Sequence, residues 1–246
     1  MFITSLENDR IKRYIKLKER KYRKKTKTFI VEGLHSVLEA YKSGDIIELI
    51  LEKDEVLPLD VPCVYVTTDI INKISSLETP SKVMALCKMK DYDNVTIGDK
   101  ILLLDGIQDP GNLGTIVRSA TAFNVDTIVL SPDTVDIYNP KVLRSTQGMI
   151  FHTSIIVKDL KDVVLELKQK KIPVYGTRVE YGEDVSLFKE KDKLEYAIII
   201  GNEGNGVSKE LLDMCDKYLY IDMNDKVESL NVAVACSIIL YELNKK

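Results

Sequence analysis

The 246-residue sequence predicts an α/β protein in two parts, a compact α/β module followed by a larger α/β domain built on a parallel sheet. Three observations carry this expectation. Short apolar runs alternate with amphipathic segments along the whole chain. Strands of the second half, such as 197–200, are apolar on both faces, as a sheet covered by helices on both sides requires. A polar, weakly periodic stretch at 89–100, containing Gly98, separates the two series.

The elements follow in order. Residues 28–32 read as a strand, 34–42 as a helix closed by Gly44, and 46–51 as a strand. A strand at 62–66, a helix at 68–76 capped by Thr67 or Thr68, and a strand at 83–88 complete the module. Residues 1–90 are therefore expected to form a first domain, 91–100 a linker and 101–246 a second domain. There the pattern restarts with a strand at 101–104, a loop at 105–112, a helix over 113–123 and a strand at 127–130. Strands near 154–157, 173–175, 196–200 and 218–221 follow, with helices near 160–170 and 229–244. Ligands of such sheets sit outside the carboxyl ends of the strands, so the loops after strands are where chemistry is expected.

Composition excludes several classes of function. The chain is 45% hydrophobic and 30% charged, as in a globular protein. Its longest apolar runs, at 197–200 and 232–236, are far shorter than a bilayer span. The first ten residues show no charged leader followed by an apolar core and a small-residue cleavage site, so a cytoplasmic location is expected. Cys63, Cys87, Cys215 and Cys236 are widely spaced and form no C-x-x-C pair, which points to reduced, packed thiols rather than disulfides or a zinc site. His35 and His152 stand apart from any second ligand at metal-binding spacing, and no metal is expected.

Charge is uneven along the chain. Residues 1–27 hold eleven Lys or Arg against three acids, a balance of +8, while the whole chain carries −3, leaving −11 for the remainder. Lys12, Arg13, Lys16, Arg20, Arg23, Lys24 and Lys25 belong to this segment, with Tyr14 and Tyr22 interleaved. The composition suits RNA phosphates, and it equally suits a solvated basic arm. On an otherwise acidic protein, such an arm steers toward polyanions without general stickiness.

Three loops after strands are unusual: 105–114 (Asp-Gly-Ile-Gln-Asp-Pro-Gly-Asn-Leu-Gly), 201–206 (Gly-Asn-Glu-Gly-Asn-Gly) and 223–231 (Met-Asn-Asp-Lys-Val-Glu-Ser-Leu-Asn). None has the dinucleotide fingerprint, and the chain lacks a phosphate-binding G-x-x-x-x-G-K-[ST]. Their exposed backbone suits a flat adenine or a methionine moiety held by main-chain groups. On the helix after the first loop, Leu113, Ile116, Val117, Ala120 and Phe123 form an apolar stripe, while Arg118 stands among Gly111, Gly114, Thr115 and Ala122. Arg118 there is either an ordinary exposed arginine or one that meets RNA or a partner subunit closely. Asn112 reads equally as a helix N-cap, Asn124 as a left-handed helix end, and Glu203 as a turn acid or an orienting carboxylate. Ser229 and Asn231 open the last helix, where capping is the plain role.

The ordered set Asn112-Leu113-Gly114-Thr115-Ile116-Val117-Arg118-Ser119-Ala120, then Gly201-Asn202-Glu203-Gly204, then Glu228-Ser229-Leu230-Asn231-Val232-Ala233-Val234-Ala235 closely resembles the SpoU/TrmH family of SPOUT-class RNA ribose methyltransferases. The resemblance covers residues 101–246. The front module, with Phe29-Ile30-Val31-Glu32-Gly33, resembles the RNA substrate-binding domain often attached to that family. The resemblance implies a parallel sheet with a C-terminal trefoil knot that binds S-adenosylmethionine, preceded by a small α/β RNA-binding domain. It implies a homodimer, for which small residues such as Ala233 and Ser237 on the last helix would permit close packing. It places Arg118 at the ribose 2′-hydroxyl, with Asn112, Glu203, Ser229 and Asn231 holding it or the RNA. Cofactor contacts would come from the backbone around Thr177, Gly201, Ile221, Met223 and Leu230. The sequence departs from the family at Asn124, where glycine is usual, at Asp222, where proline is common, and at Ser81-Lys82, where Gln-Gly follows the proline. The implied reaction is methyl transfer to RNA, ribosomal RNA in preference to transfer RNA. A catalytically silent RNA-binding or ribosome-assembly factor, and base rather than ribose methylation, are the competing readings.

Overall fold

The computed structural model describes residues 1–90, 96–188 and 195–245. It divides into two compact units, one comprising Met1–Asp91 with Asp136–His152, the other Tyr92–Val135 with Thr153–Lys246. Residues 91–95 of the expected linker lie outside the described residues.

The first unit opens with β1 (Phe2–Ile3), α1 (Asp9–Lys16) and α2 (Arg20–Thr26), followed by β2 (Thr28–Glu32), α3 (Leu34–Ser43), β3 (Ile46–Glu52), β4 (Cys63–Val66), α4 (Thr68–Ile74) and β5 (Val83–Lys88). Its sheet runs β1-β4-β3-β5-β2, with β1, β4 and β3 parallel and β5 antiparallel to both β3 and β2. Asn8 caps α1 by accepting from the Arg10 amide at 2.9 Å, and Gly44 ends α3 at φ +74°. The basic segment is thus two short helices, and their inner faces are core. Tyr14, expected among the phosphate-facing residues, is fully buried and donates its hydroxyl to Glu48 at 2.6 Å.

The second unit carries β6 (Lys100–Leu104), α5 (Pro110–Ala122) and β7 (Thr127–Leu130). The chain then enters the first unit with α6 (Pro140–Thr146) and a short turn of 3-10 helix at Met149–Phe151. Back in the second unit come β8 (Ser154–Val157), α7 (Leu160–Gln169), β9 (Val174–Thr177), β10 (Glu183–Asp184), β11 (Tyr196–Ile200), α8 (Lys209–Leu212), β12 (Lys217–Tyr220) and α9 (Val232–Asn244). Among the described residues these strands form one parallel sheet in the order β10-β12-β9-β11-β6-β7-β8. On one face Ile101, Leu103, Val129 and Ile199 pack with Val163, Val164 and Leu167 of α7. Alternation sends Leu102 and Ile198 to the other face, where both are fully buried.

Several expectations change in the structure. The segment 136–152, read as part of the second domain, packs on the first unit because its apolar side chains find partners there: Phe29 lies 4.6 Å from Tyr138 and 6.1 Å from Phe151, ring centre to ring centre. The last helix begins at Val232 rather than 229, since Asn231 occupies the cap. Ala233 and Ser237 are not exposed for a partner subunit. Ala233 is buried, and Ser237 meets Ser119 of α5 in the same chain at 2.7 Å. All four cysteines are free thiols, and burial pushes Cys236 up to about 12 and Cys215 to about 11.

Candidate active site

Helix α5 is started by Asp109, whose Oδ1 accepts the Asn112 amide at 2.8 Å, with Pro110 in the first turn. Asn112 is therefore not the cap, and its side chain is released for other work. Its Nδ2 donates to Glu203 Oε1 at 3.0 Å, and its Oδ1 accepts from Asn231 Nδ2 at 2.9 Å. Asn231 in turn caps α9, its Oδ1 accepting from the amides of Ala233 and Val234 at 2.9 and 3.3 Å. Glu203 also accepts from the Asp109 and Gln108 amides at 3.2 and 3.3 Å. The loops after β6, β11 and β12 thus converge on one point at the carboxyl ends of their strands. Burial raises the Glu203 carboxyl, but the bonds from Asn112 and from backbone amides, including those of Asp109 and Gln108, outweigh it and hold the group below its ordinary value.

The loop after β11 closes tightly on itself. Asn202 and Gly206 exchange backbone hydrogen bonds of 3.0 and 2.9 Å, and Gly206 adopts φ +67°. A Cβ on Gly201 would stand 2.0 Å from backbone atoms of Gly206 and Val207, so only glycine fits there. The Asn202 side chain, which sequence reasoning passed over, pins this loop to the first one by donating to the Gly106 carbonyl at 2.7 Å. Asp105 adds a second tie by accepting the Ser208 amide at 2.8 Å. These two residues sit beside the glycines that marked the loops, and that adjacency was the available signal.

Beside this junction lies a cavity of about 680 Å³. Thr177, Gly201, Ile221, Met223 and Leu230, expected at the cofactor, all line it, together with Glu203 and Ser229. Its wall is apolar, supplied by Ile200, Leu212, Val232 and Ile239. Among the described residues the backbone amides of Met223, Ser229 and Leu230 donate to no protein acceptor. An apolar slot with unused amides at its rim and roughly this volume fits S-adenosylmethionine, whose adenine edge and carboxylate need donors while its rings need apolar cover. The loop after β9, not singled out in the sequence, also lines the slot through Arg178, Glu180 and Tyr181. Arg178 lies 4.5 Å from the centre of the Tyr218 ring.

The remaining site residues divide. Asn112, Glu203 and Asn231 are brought into direct contact, and Ser229 lines the cavity nearby. Arg118 is exposed on α5, and its side chain has no hydrogen bond or ion pair among the described residues. In the first unit Lys12, Arg13, Lys16, Arg20, Lys24 and Lys25 are exposed. Arg23, expected among the RNA-contacting residues, is instead buried: it is 3% exposed and donates to the Leu17 and Lys18 carbonyls and, at 2.5 Å, to Asp136, so no RNA phosphate reaches it. Among the described residues no group of three or more His, Cys, Asp or Glu side chains is placed to hold a metal ion.

The second half of the chain matches the SpoU rRNA methylase family over residues 99–241, and the first matches the MRM3-like substrate-binding domain over residues 8–85. A Bacillus subtilis protein, 23S rRNA (guanosine(2553)-2′-O)-methyltransferase RlmP, is 40% identical over 98% of both chains. Among solved structures, an RNA methyltransferase of the TrmH family from Porphyromonas gingivalis superposes with a TM-score of 0.88 at 30% identity, covering 98% of this chain and 99% of that one. The AdoMet-bound rRNA methyltransferase of Sinorhizobium meliloti does so with 0.87 at 26% identity, covering 99% and 97%. With its three loops joined beside a slot shaped for the methyl donor, the chain belongs to the SpoU rRNA methylase family of S-adenosylmethionine-dependent RNA 2′-O-methyltransferases.

Proposed function

We propose that this protein methylates a ribose 2′-hydroxyl of ribosomal RNA, the RNA class named for its Bacillus subtilis relative. The observation that carries the reading is the bonded chain Asn231–Asn112–Glu203, which holds three loops at the mouth of the donor slot. S-adenosylmethionine, when bound, supplies an activated methyl group. The transfer is an in-line displacement that needs alignment and removal of one proton. Arg118 is the catalytic guanidinium: its positive charge and planar set of donors stabilise the developing alkoxide while an RNA phosphate or water takes the proton. Asn112, Glu203, Ser229 and Asn231 hold the reacting nucleotide and its surroundings. Thr177, Gly201, Ile221, Met223 and Leu230 hold the donor.

Lys12, Arg13, Lys16, Arg20, Lys24 and Lys25, all exposed, contact RNA phosphates. Domains at 1–90 and 101–246 are supported by the division into two compact units, except that 136–152 belongs with the first. A trefoil knot is supported by the course of the chain beyond β9: β12 pairs outside β9, yet α9 returns to pack on α5 and joins Asn244 to Tyr196 and Lys100. The exposed Val234 and Tyr241 on α9 support a homodimer. No described helix is long and apolar enough to cross a membrane, and a cytoplasmic location accords with a ribosomal substrate. The test is incubation of the protein with a 23S rRNA transcript and donor labelled in the methyl group, followed by nuclease digestion and mass analysis. A 2′-O-methylated nucleotide supports the reading. A methylated base, or no donor binding by calorimetry, overturns it.

A further inference from the structure

The first unit holds a second cavity, of about 370 Å³, lined by residues of the front module and of the 136–152 excursion. We infer that it receives one unstacked nucleotide of the RNA substrate, so that this unit reads a single base as well as the phosphate backbone. The inference rests on the RNA reading above. Its volume lies in the range of roughly 300–1,000 Å³ that suits small organic groups. Ile30, Leu77, Pro140 and Leu143 supply an apolar floor, which a base ring needs and a bare phosphate does not.

Polar groups at the wall match the edges of a base. Ser36 and Ser76 line the cavity, and among the described residues neither hydroxyl has a partner. Asn139 uses its Oδ1 to accept the Lys141 amide at 2.9 Å, leaving its Nδ2 to donate. Arg144 is exposed, lines the same cavity, and its guanidinium has no hydrogen bond or ion pair among the described residues. A planar guanidinium in the lining of an apolar cavity offers a stacking surface for a splayed base, and RNA is read mainly through such unpaired bases.

Charge connects this cavity to the basic helices. Lys18 sits in the turn between α1 and α2, lines the cavity and is oriented by its bond to the Ser75 carbonyl at 2.5 Å. Lys141 adds a second cation to the wall. Lys18 and Lys141 thus carry the positive charge of the exposed lysines of α1 and α2 to the cavity, where the one lining carboxylate, Glu32, is held by the Ser75 hydroxyl and the Ser76 amide. That continuity favours a nucleotide within a polymer.

The experiment uses the full-length protein, a 23S rRNA transcript and two variants, Arg144→Gln and the cavity-filling Ser76→Phe. Transcript affinity is read by filter binding, donor affinity by calorimetry, and kcat and KM by methyl incorporation. Both variants are expected to weaken transcript binding about tenfold, the loss of one stacked base, and to raise KM for RNA with donor affinity unchanged. Competition sharpens the assignment: nucleoside monophosphates differing in base are expected to displace the transcript with different potency, and inorganic phosphate far less. Transcript affinity within twofold of the parent protein in both variants, or equal potency of inorganic phosphate and every nucleotide, would overturn the inference. If the parent protein binds donor but neither binds nor methylates the transcript, the RNA reading itself fails, which is a separate outcome.

Discussion

Asn112 and Asn231, 119 residues apart, are joined by one hydrogen bond of 2.9 Å whose direction is fixed at both ends. Capping α9 requires the Asn231 oxygen to face the helix, so its amide must face Asn112. The Glu203 carboxylate accepts only, so Asn112 must turn its own amide there and its oxygen back to Asn231. Each asparagine thus has one satisfactory orientation, and the three loops are locked by polarity as well as by distance.

Asn231→Asp separates the cap from the relay. Aspartate caps as well as asparagine but cannot donate to Asn112. Unfolding temperature should hold while methyl transfer falls about tenfold, the cost of roughly one hydrogen bond to a charged network. Unchanged activity in a methyl-incorporation assay would show the bond to be incidental.

Protonation of Glu203 should open the same junction. Its folded-state value is depressed, so the loop stabilisation it provides is fully present above the ordinary carboxyl value near 4.5 and is lost as pH falls through the depressed one. Donor affinity, titrated calorimetrically from neutral pH downward, should decline in that acid window. Glu203→Gln should be weaker at neutral pH and flat across the window.

Gly201→Ala places a methyl group against the backbone of Gly206 and Val207. The loop must shift, at a cost of about 1–3 kcal/mol, and the donor slot it walls shifts with it. Calorimetry should show donor binding lost or strongly weakened in a protein whose circular dichroism remains that of the parent.

Arg118→Ala should leave stability within about 0.5 kcal/mol, because the side chain is exposed and makes no bond among the described residues. Methyl transfer should nevertheless fall about 10²–10³-fold, as for loss of one stabiliser of a developing oxyanion. Arg118→Lys with full activity and an unchanged pH profile would exclude a specific guanidinium role.

Arg23→Met should destabilise the protein by about 3 kcal/mol, since it removes the buried partner of the Asp136 carboxylate and leaves only the more distant Arg20, at 4.0 Å. Denaturant unfolding reads the loss. Adding Asp136→Leu should restore much of it, an outcome that a phosphate-binding role for Arg23 would not produce.

The alternation of apolar strands and amphipathic helices was legible because burial on both faces leaves continuous apolar runs, as in Tyr196–Ile200. The left-handed turn at Asn124, observed at φ +55°, was legible from residue type alone. Helix α6 and strand β10 were not: α6 packs on β2 of the first unit, more than a hundred residues away in sequence, and two residues are too few for a strand period to declare itself. The charge run at 1–27 suggested a uniform phosphate-facing arm, yet Tyr14 and Arg23 point inward. Composition reports what a segment contains, and helical phase with tertiary partners decides which side faces water.

The sequence by itself determined the element alternation, the three unusual loops after strands and the family to which they belong, because these depend on local periodicity and on short runs of particular residues. Only the tertiary structure decided that Asn112 bridges two loops instead of capping its helix, that Arg23 holds Asp136 instead of RNA, and that residues 136–152 complete the first unit. Each of those outcomes depends on a partner more than ninety residues away, and a hydrogen bond or ring contact at that separation leaves no trace in local pattern.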